Sequence, residues 1–547
     1  MKKQLRLVAL LVCIMMLALA FVGCGKKAEE APATEENAPA TEEKAPEAGE
    51  KEEAEAPSGE PTGYAETINI AYFADLDTAD PYMTTSSQGP MYTNSTFRSL
   101  REIVPETGEL KNVLAESVED VSGNNTCFEV KLRQGVKFHD GTDFTAEDVV
   151  FTWNYAKDVA NVSAPIMSAD DQVKTIEAVD DYTVRFNLNY GIPDFPDYMT
   201  FKIYSKDAFD TMDPAEAGVI GCGPYKVGEL VTGVSFALER FEDYNIPGYE
   251  TVEDFPTKNI VFKVIPDDNA QAAALQAGEV DGTIRINSAA TQALLSDPNI
   301  TVHEGRGLMN YYIGFKFAKE KWCDPELRKA IAMAVNKDDI ISIQFENGFG
   351  ASRSDNWALP SVAGYKEVDP IDYDPEAAKA KIAELGYAGD NVTIMTVDAY
   401  KAAAEVLQAN LGAVGLTADI KIVDATNWPS LKVSEDYDID IGDYGSLIGP
   451  AVYSLSRHLG VGGTGNMRGH NDPEYEALLQ AVRDAKDYDE VLKTAGDCQD
   501  WLAENVPFIP YAVNKGYLCA RSDVQGVAVA GTDNYTHCEY WCKPIYS

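Results

Sequence analysis

Side chains that could carry catalysis are scattered along this sequence rather than grouped. It contains neither a G-x-S-x-G nucleophile elbow nor an H-E-x-x-H zinc motif. Acidic residues number 88 against 45 Lys and Arg, so a glycosidase pair of carboxylates would leave no distinct signal. The histidines stand singly, as structural histidines usually do: His139, His303, His458, His470 and His537. This pattern favours a protein that is not an enzyme.

Cysteine could supply disulfides or metal ligands. Cys13 lies in an N-terminal apolar run and Cys24 follows that run, which leaves an odd number of cysteines for the rest of the chain. These are Cys127, Cys222, Cys323, Cys498, Cys519, Cys538 and Cys542. At least one thiol therefore stays free if the others pair. His537, Cys538 and Cys542 could ligate a metal, but no second Cys/His cluster completes four ligands. We expect no metal and no cofactor.

Residues 353–360, R-S-D-N-W-A-L-P, form a candidate binding segment. Arg353 could hold a carboxylate through two hydrogen bonds, and Trp357 could line an apolar ligand pocket. The alternative is a connecting loop with an incidental tryptophan. The glycine-rich segment 460–465 lacks the Lys-Ser/Thr ending of a phosphate-binding loop, so it indicates flexibility instead.

The elements that would position such residues are clearest in residues 128–155. Residues 128–132 alternate apolar and charged side chains, which predicts a half-buried strand. The tight turn that follows includes Gly141 at a position that needs a positive φ. Thr145 and Asp148 then form a capping box that opens an apolar helix.

The run LRQGVKFHDGTDFTAEDVVFTW within that segment resembles the hallmark of the family 5 extracellular solute-binding proteins, the peptide-binding class that serves ABC importers. Three later stretches also resemble family motifs, in order. Residues 221–225 are similar to G-T-G-P-Y with Cys222 in place of threonine, residues 278–281 to G-E-x-D, and residues 324–336 to a helix built on V-R-x-A-I. The resemblance covers roughly residue 67 to the end of the chain.

The fold that the resemblance implies is α/β and periplasmic-binding-protein-like: two lobes with hinge-crossing strands and an extra subdomain, the cluster C type. We expect lobe I at 67–305, with a subdomain inserted at about 96–215. Lobe II is expected at 306–510 and a return to lobe I at 511–547. Arg328, in the third motif, is expected to form a structural ion pair.

The resemblance also implies where the ligand contacts lie. Relatives carry a polar loop after the first strand, a tryptophan beside the pocket, and an aspartate that pairs with a peptide's α-amino group. Here Ser446 falls at the aspartate position and Asp443 lies three residues earlier. Either Asp443 substitutes, or the ligand is not a free dipeptide. The expected ligand-binding residues are Thr85, Ser86, Ser87, Trp357, Trp428, Gly442, Asp443, Tyr444 and Ser446.

The N-terminus is typical of an exported lipoprotein. Lys2, Lys3 and Arg6 precede an apolar run at 7–22, and a small residue then precedes Cys24, as in the bacterial lipobox. We expect a signal peptide at 1–23 and diacylglycerol on Cys24; an ordinary cleaved signal is the alternative. Residues 24–66, rich in Glu, Pro and Ala, are expected to form a disordered tether.

Charge narrows the choice of partners. A formal net charge of −43 repels nucleic acid phosphates, so no nucleic acid partner is expected. The resemblance implies a monomeric, lipid-anchored receptor on the outer face of the cytoplasmic membrane, which captures peptides and delivers them to an ABC permease. Nickel complexes, haem, opines and oligosaccharides remain alternative solutes, because fold does not determine the ligand. A secreted hydrolase and a surface adhesin are the alternatives of other classes.

Overall fold

The computed structural model describes 61–84, 89–104, 109–159, 172–284, 286–305, 307, 309–360, 362–445, 451–463, 465–528 and 537–546. Within these residues no helix is both long and apolar enough to cross a membrane. All seven cysteines outside the N-terminal region carry free thiols.

The first large sheet has seven strands and forms the centre of lobe I. In spatial order these are Ile300–Gly305, Gly516–Arg521, Gly282–Thr283, Thr67–Tyr72, Asn259–Val264, Ser235–Arg240 and Tyr225–Val231. Thr67–Tyr72 pairs in parallel with both of its neighbours. Its side chains Ile68 and Ile70 are fully buried, as the alternating sequence predicts. Helices Asp268–Ala277 and Ser288–Leu294 cover part of this sheet.

A four-stranded antiparallel sheet belongs to the same part of the chain. Its strands, in spatial order, are Ala115–Asp120, Cys127–Leu132, Thr183–Leu188 and Val173–Asp180. Helix Ala146–Val159 packs on this sheet and buries Trp153 edge-on against Phe186. The turn before this helix has Gly141 at φ +90°, the left-handed conformation predicted from the sequence.

The second large sheet has six strands and forms the centre of lobe II. In spatial order they are Ala351–Arg353, Phe508–Asn514, Met309–Phe315, Ile439–Gly445, Asn391–Val397 and Thr417–Val423. Helices on one face are Pro325–Ala334, Lys337–Gln344, Pro375–Glu384 and Lys401–Ala413. Helices on the other face are Ala451–Leu459, Pro473–Arg483 and Tyr488–Asn505. Each face therefore has its own hydrophobic core.

The chain crosses between the lobes twice, between Gly305 and Met309 and again between Asn514 and Gly516. The sequence placed the return at Tyr511, but this residue lies inside the strand Phe508–Asn514 with its side chain fully buried. An apolar run does not reveal where a strand leaves one lobe for the next, because residues on both sides of Tyr511 in this strand are buried, up to Val513.

Smaller elements complete the described fold. The short paired strands are Gly63–Tyr64 with Pro544–Ile545, Arg101–Ile103 with Leu110–Asn112, and Asn245–Ile246 with Glu250–Thr251. The remaining helices are Gly89–Thr96, Lys206–Thr211, Pro214–Ala217 and Trp428–Ser434. Short 3₁₀ turns lie at Phe195–Tyr198, Val252–Asp254, Glu320–Cys323, Glu346–Gly348, Asp398–Tyr400, Ala425–Asn427 and Cys538–Tyr540.

Candidate functional site

Strand Ile439–Gly445 carries three of the expected site residues, at the end of lobe II nearest the crossing segments. Successive side chains of a strand point to opposite faces. Gly442 and Tyr444 therefore lie on one face of the sheet, while Asp443 lies on the other. The site predicted from one short stretch of sequence is in fact two groups of residues.

Tyr444 packs into an aromatic stack on the first of these faces. Its ring centre lies 4.1 Å from that of Trp357, which lies 4.2 Å from that of Phe508 on its other side. The Tyr444 hydroxyl donates a hydrogen bond to the main-chain carbonyl of Trp357. The structure thus brings Trp357 and Tyr444 together, but Trp357 is only 2% exposed. In this conformation Trp357 is part of the hydrophobic core and does not line an open pocket.

Trp428 lies on the same face and remains half-buried at the start of helix Trp428–Ser434. It covers Gly442: a Cβ atom there would lie 3.5 Å from the Trp428 ring and 3.1 Å from the Tyr312 hydroxyl. The ammonium of Lys432 is 4.6 Å from the centre of the Trp428 ring, a cation–π contact. Gly442 therefore lets the indole approach the strand closely.

A buried ion pair, not anticipated from the sequence, lies behind this tryptophan. The Arg468 guanidinium donates to both carboxylate oxygens of Asp440, at 2.5 and 2.6 Å, and to the Tyr312 hydroxyl. Lys432, 7% exposed, donates to the same hydroxyl at 3.0 Å. Two cations thus face one carboxylate. The one signal in the sequence was Asp440, a charged residue at an inward-facing position of an apolar strand.

The excess positive charge acts on a neighbouring histidine. Burial, and then the charges of Arg468, Arg457 and Lys432, together lower the pKa of His458 to about 3. His458 is therefore neutral at physiological pH. The charges of Lys432 and Arg468 make the electrostatic potential positive on this face of the strand, beside Trp428.

Asp443 lies in a tyrosine-lined position on the opposite face. It is half-buried, pairs across the sheet with Tyr311 and accepts a hydrogen bond from Tyr400. Burial, and then the charge of Asp443, raise the pKa of Tyr311 to about 12 and that of Tyr400 still further. Both hydroxyls therefore stay protonated, and the Tyr400 hydroxyl donates to Asp443. A carboxylate held in this way has remaining lone pairs with which to accept a ligand ammonium.

Several expected site residues lie outside the described residues, namely Thr85, Ser86, Ser87, Ser446 and the lipidation site Cys24. The loop that leads to the first three is held by Asp80. Its carboxylate accepts hydrogen bonds from the Tyr82 and Met83 amides, at 2.9 and 3.2 Å, and from the Tyr204 hydroxyl. The Asp-Pro motif thus fixes the direction in which the chain leaves the first strand.

Arg353 lines a cavity of about 570 Å³ beside the two crossing segments. Its guanidinium is already paired with Asp355 at 3.1 Å, and Asp355 also accepts from Lys337 at 2.6 Å. Glu304 and Lys515, which line the same cavity, pair with each other at 3.0 Å. Arg353 was considered from the sequence as a clamp for a ligand carboxylate. In the structure its guanidinium is paired with Asp355 of the protein itself.

The described ranges contain no group of three or more His, Cys, Asp or Glu side chains placed to hold a metal ion.

Comparisons with known proteins place these features in a family context. The sequence model described as bacterial extracellular solute-binding proteins, family 5 Middle, matches residues 109–466. The glutathione-binding protein GsiB of Escherichia coli is 29% identical over 374 residues, which cover 66% of this chain and 70% of GsiB.

Two solved structures match nearly their whole length. HbpA2 from Haemophilus parasuis has a TM-score of 0.78 at 23% identity, covering 88% of this chain and 100% of HbpA2. DppA from Helicobacter pylori, solved with the peptide STSA, has a TM-score of 0.67 at 24% identity, covering 88% of this chain and 99% of DppA.

Proposed function

Because the chain belongs to family 5 of the bacterial extracellular solute-binding proteins, we propose that it captures peptides between its two lobes and delivers them to an ABC permease. The family and the two-lobed α/β fold class predicted from the sequence are confirmed. Members of this family are extracytoplasmic, substrate-binding components of ABC importers, and its relatives are solute-binding proteins rather than enzymes. The proposal concerns the solute, the contact residues and the anchor.

The observation that carries the peptide proposal is the charge at the end of strand Ile439–Gly445. Asp443 presents a hydrogen-bonded carboxylate on one face, and Lys432 with Arg468 makes the other face positive. A peptide carries an α-ammonium, and the Asp443 carboxylate offers it an opposite charge. A buried ammonium requires such a partner. Asp443 thus takes over the role that Ser446 cannot perform.

The remaining contacts follow from the same placement. Trp428, half-buried beside Gly442, offers an aromatic surface for a side chain of the peptide. The polar loop of Thr85, Ser86 and Ser87 contributes hydroxyl and main-chain groups from lobe I. A similarity to the glutathione-binding protein GsiB agrees with a short peptide as the solute.

The anchor and the oligomeric state rest on sequence alone. Diacylglycerol on Cys24 would hold the protein at the outer face of the cytoplasmic membrane, and the acidic segment 24–66 would keep the lobes away from it. The strong net negative charge favours a monomer, since like charges repel.

Native mass spectrometry of the untagged protein without residues 1–66 tests the solute class. Co-purified masses that differ by amino-acid residue weights support peptide capture. A single non-peptide mass contradicts the peptide proposal and leaves the importer role intact.

The substitution Asp443→Asn tests the contact residue. A charge-assisted hydrogen bond contributes about 1.5–3 kcal/mol, so the Kd of a co-purified peptide is expected to rise by about 10- to 150-fold in titration calorimetry. The N-acetylated form of that peptide should lose less affinity on this substitution, because it lacks the ammonium. Asp497→Asn, on an exposed helix position of the same lobe, is the control. Equal affinities for wild type and Asp443→Asn would exclude Asp443 as the ammonium partner.

A further inference from the structure

Lys432 is a buried ammonium that has no carboxylate partner among the described residues. It is 7% exposed, and it donates to the neutral hydroxyl of Tyr312 at 3.0 Å without forming an ion pair in the described part of the chain. A buried cation that lacks a charged partner is costly for a protein to maintain. Lys432 therefore indicates that the balancing negative charge comes from a bound solute.

Two further buried cations lie around Lys432. Arg468, 2% exposed, donates to both oxygens of the Asp440 carboxylate, at 2.5 and 2.6 Å. Lys316, also 7% exposed, donates to the main-chain carbonyls of Lys432 and Val433 at 2.5 and 3.0 Å. Lys316, Lys432 and Arg468 with Asp440 form what we call the cationic cluster, in which three cations share one carboxylate.

Neighbouring carboxylates do not neutralise the cationic cluster. Asp438 is paired with Lys319 at 3.3 Å and with Lys321 at 2.9 Å. Asp424, four residues before Trp428, is exposed and caps the turn that follows it by accepting from the Thr426 amide at 2.9 Å. Water and salt screen an exposed charge of this kind. The region beside Trp428 therefore keeps a positive electrostatic potential.

Trp428 is the surface through which the cationic cluster acts on a solute. The helix that begins with Trp428 follows the strand Thr417–Val423, whose carboxyl end lies beside those of its parallel neighbours. Ligands of open α/β sheets bind at this edge. The Lys432 ammonium lies 4.6 Å from the centre of the indole ring, and no described aromatic ring stacks on the half-buried indole. A group packed on the open side of the indole lies about 8 Å from the ammonium, given ordinary van der Waals contact.

We propose that the subsite beside Trp428 takes an acidic side chain of the bound peptide, and that Lys432 determines this preference. The inference rests on the proposed function and deepens it by naming the chemistry of the peptide. A carboxylate in the subsite is attracted by the cationic cluster, because buried charges are screened less than charges at the surface. A basic side chain is repelled by the same charges. An acidic side chain thus supplies the negative charge that the cluster lacks.

Competition between tripeptides tests the subsite. Purified protein, freed of bound solute by unfolding in urea and refolding, is dialysed against an equimolar mixture in which each alanine of Ala-Ala-Ala is replaced in turn by Glu, Gln or Lys. Liquid chromatography with mass spectrometry quantifies the retained peptides. At one position of the tripeptide, the Glu peptide is expected to be retained about tenfold more than the Gln peptide, and the Lys peptide less than either.

Substitutions of Lys432 assign the preference to this residue. Lys432→Met removes the charge at similar side-chain length, so the ratio of retained Glu peptide to Gln peptide is expected to fall towards one. Lys432→Arg restores a cation and should keep a ratio close to that of the wild type. Lys493→Met, at an exposed position of the same lobe, is the control and leaves the ratio unchanged. Both peptides compete in one sample, so a partial loss of folded protein does not alter their ratio.

The outcomes separate this inference from the proposed function. A wild type that retains the Glu and Gln peptides in equal amounts at every position overturns the acidic subsite and leaves peptide capture intact. A Lys432→Met protein with the wild-type ratio overturns the role of Lys432. If no tripeptide is retained, peptide capture itself is contradicted and the subsite falls with it.

Discussion

At the scale of single residues, the charges that matter most for stability are buried ones. Arg98 is 1% exposed and lies 3.1 Å from Glu250 and 3.4 Å from Glu539. Glu539, fully buried, also contacts the ring nitrogen Nδ1 of His537 at 2.6 Å and the hydroxyl of Ser95 at 3.0 Å. This cluster ties the C-terminal segment to the first helix of lobe I. A buried charge without such partners would be strongly destabilising.

The substitution Glu539→Gln is therefore expected to lower the free energy of unfolding by about 3–5 kcal/mol at pH 7, measured by urea denaturation. Burial alone would raise the pKa of Glu539, but the charge and hydrogen bond of His537 and the charge of Arg98 outweigh it and lower the pKa to about 2. Because the folded pKa lies below the unfolded value, this stabilisation is complete above about pH 4.5. It is lost as the pH falls towards 2, by about 3 kcal/mol in total.

The variant should accordingly show a flatter decline of stability between pH 4.5 and 2 than the wild type. Glu66→Gln, which removes an exposed carboxylate paired with Lys258, is the control and should change little. Parallel pH profiles of wild type and Glu539→Gln would show that the carboxylate is not the titrating group.

At the scale of elements, the G-C-G-P-Y motif shows why close packing requires glycine just before the strand Tyr225–Val231. A Cβ atom at Gly223 would lie 2.5 Å from the carbonyl oxygen of Ser95 and 2.6 Å from the carbonyl carbon of Thr96. Gly223→Ala is therefore expected to cost about 1–3 kcal/mol in urea denaturation, because backbone must shift. The matched change Gly412→Ala places a methyl group in open space on the helix Lys401–Ala413.

Gly412→Ala should stabilise the protein by about 0.5–1 kcal/mol, since alanine restricts the unfolded chain and favours the helix. If the two substitutions change the free energy of unfolding in opposite directions, the effect of steric conflict is separated from that of helix propensity. A Gly223→Ala protein as stable as the wild type would refute the close approach.

Local elements could be predicted from the sequence wherever the signal is itself local. The alternation of residues 128–132, the left-handed Gly141 and the capping pair Thr145–Asp148 all depend on neighbours a few positions away. In the structure the Asp148 carboxylate accepts from the Thr145 amide at 2.8 Å, which is one of the two hydrogen bonds of a capping box. Such local patterns predict a strand, a turn or a helix start without knowledge of the rest of the fold.

Partners that are distant along the chain could not be predicted in this way. Arg328 was expected to form an ion pair, but its guanidinium donates to main-chain carbonyls of Trp322, Asn505 and Val506. The expectation was wrong because unpaired carbonyls at a helix end lie beside it, which residue types alone do not reveal. Likewise, the sequence grouped Asp443 with Tyr444, whereas the strand separates them onto two faces.

At the scale of the whole molecule, repulsion among the many acidic residues destabilises the compact folded state. The chain carries 88 acidic and 45 basic residues, a formal net charge of −43. Exposed ion pairs such as Lys206 with Asp210 contribute little individually, so they do not offset the repulsion summed over the surface. The thermal stability of the folded protein should therefore depend on the salt concentration.

Raising NaCl from 20 to 500 mM is expected to increase the Tm at pH 7.5 by several degrees, because screening shortens the Debye length from about 20 Å to about 4 Å. Differential scanning calorimetry of the protein without residues 1–66 measures this shift. The same titration at pH 4.5, close to the sequence pI of about 4.4, is the internal control, because net repulsion has vanished there. A Tm that falls with salt at pH 7.5 would show that paired surface charges outweigh the repulsion. An equal rise at both pH values would point to a general salt effect on burial instead.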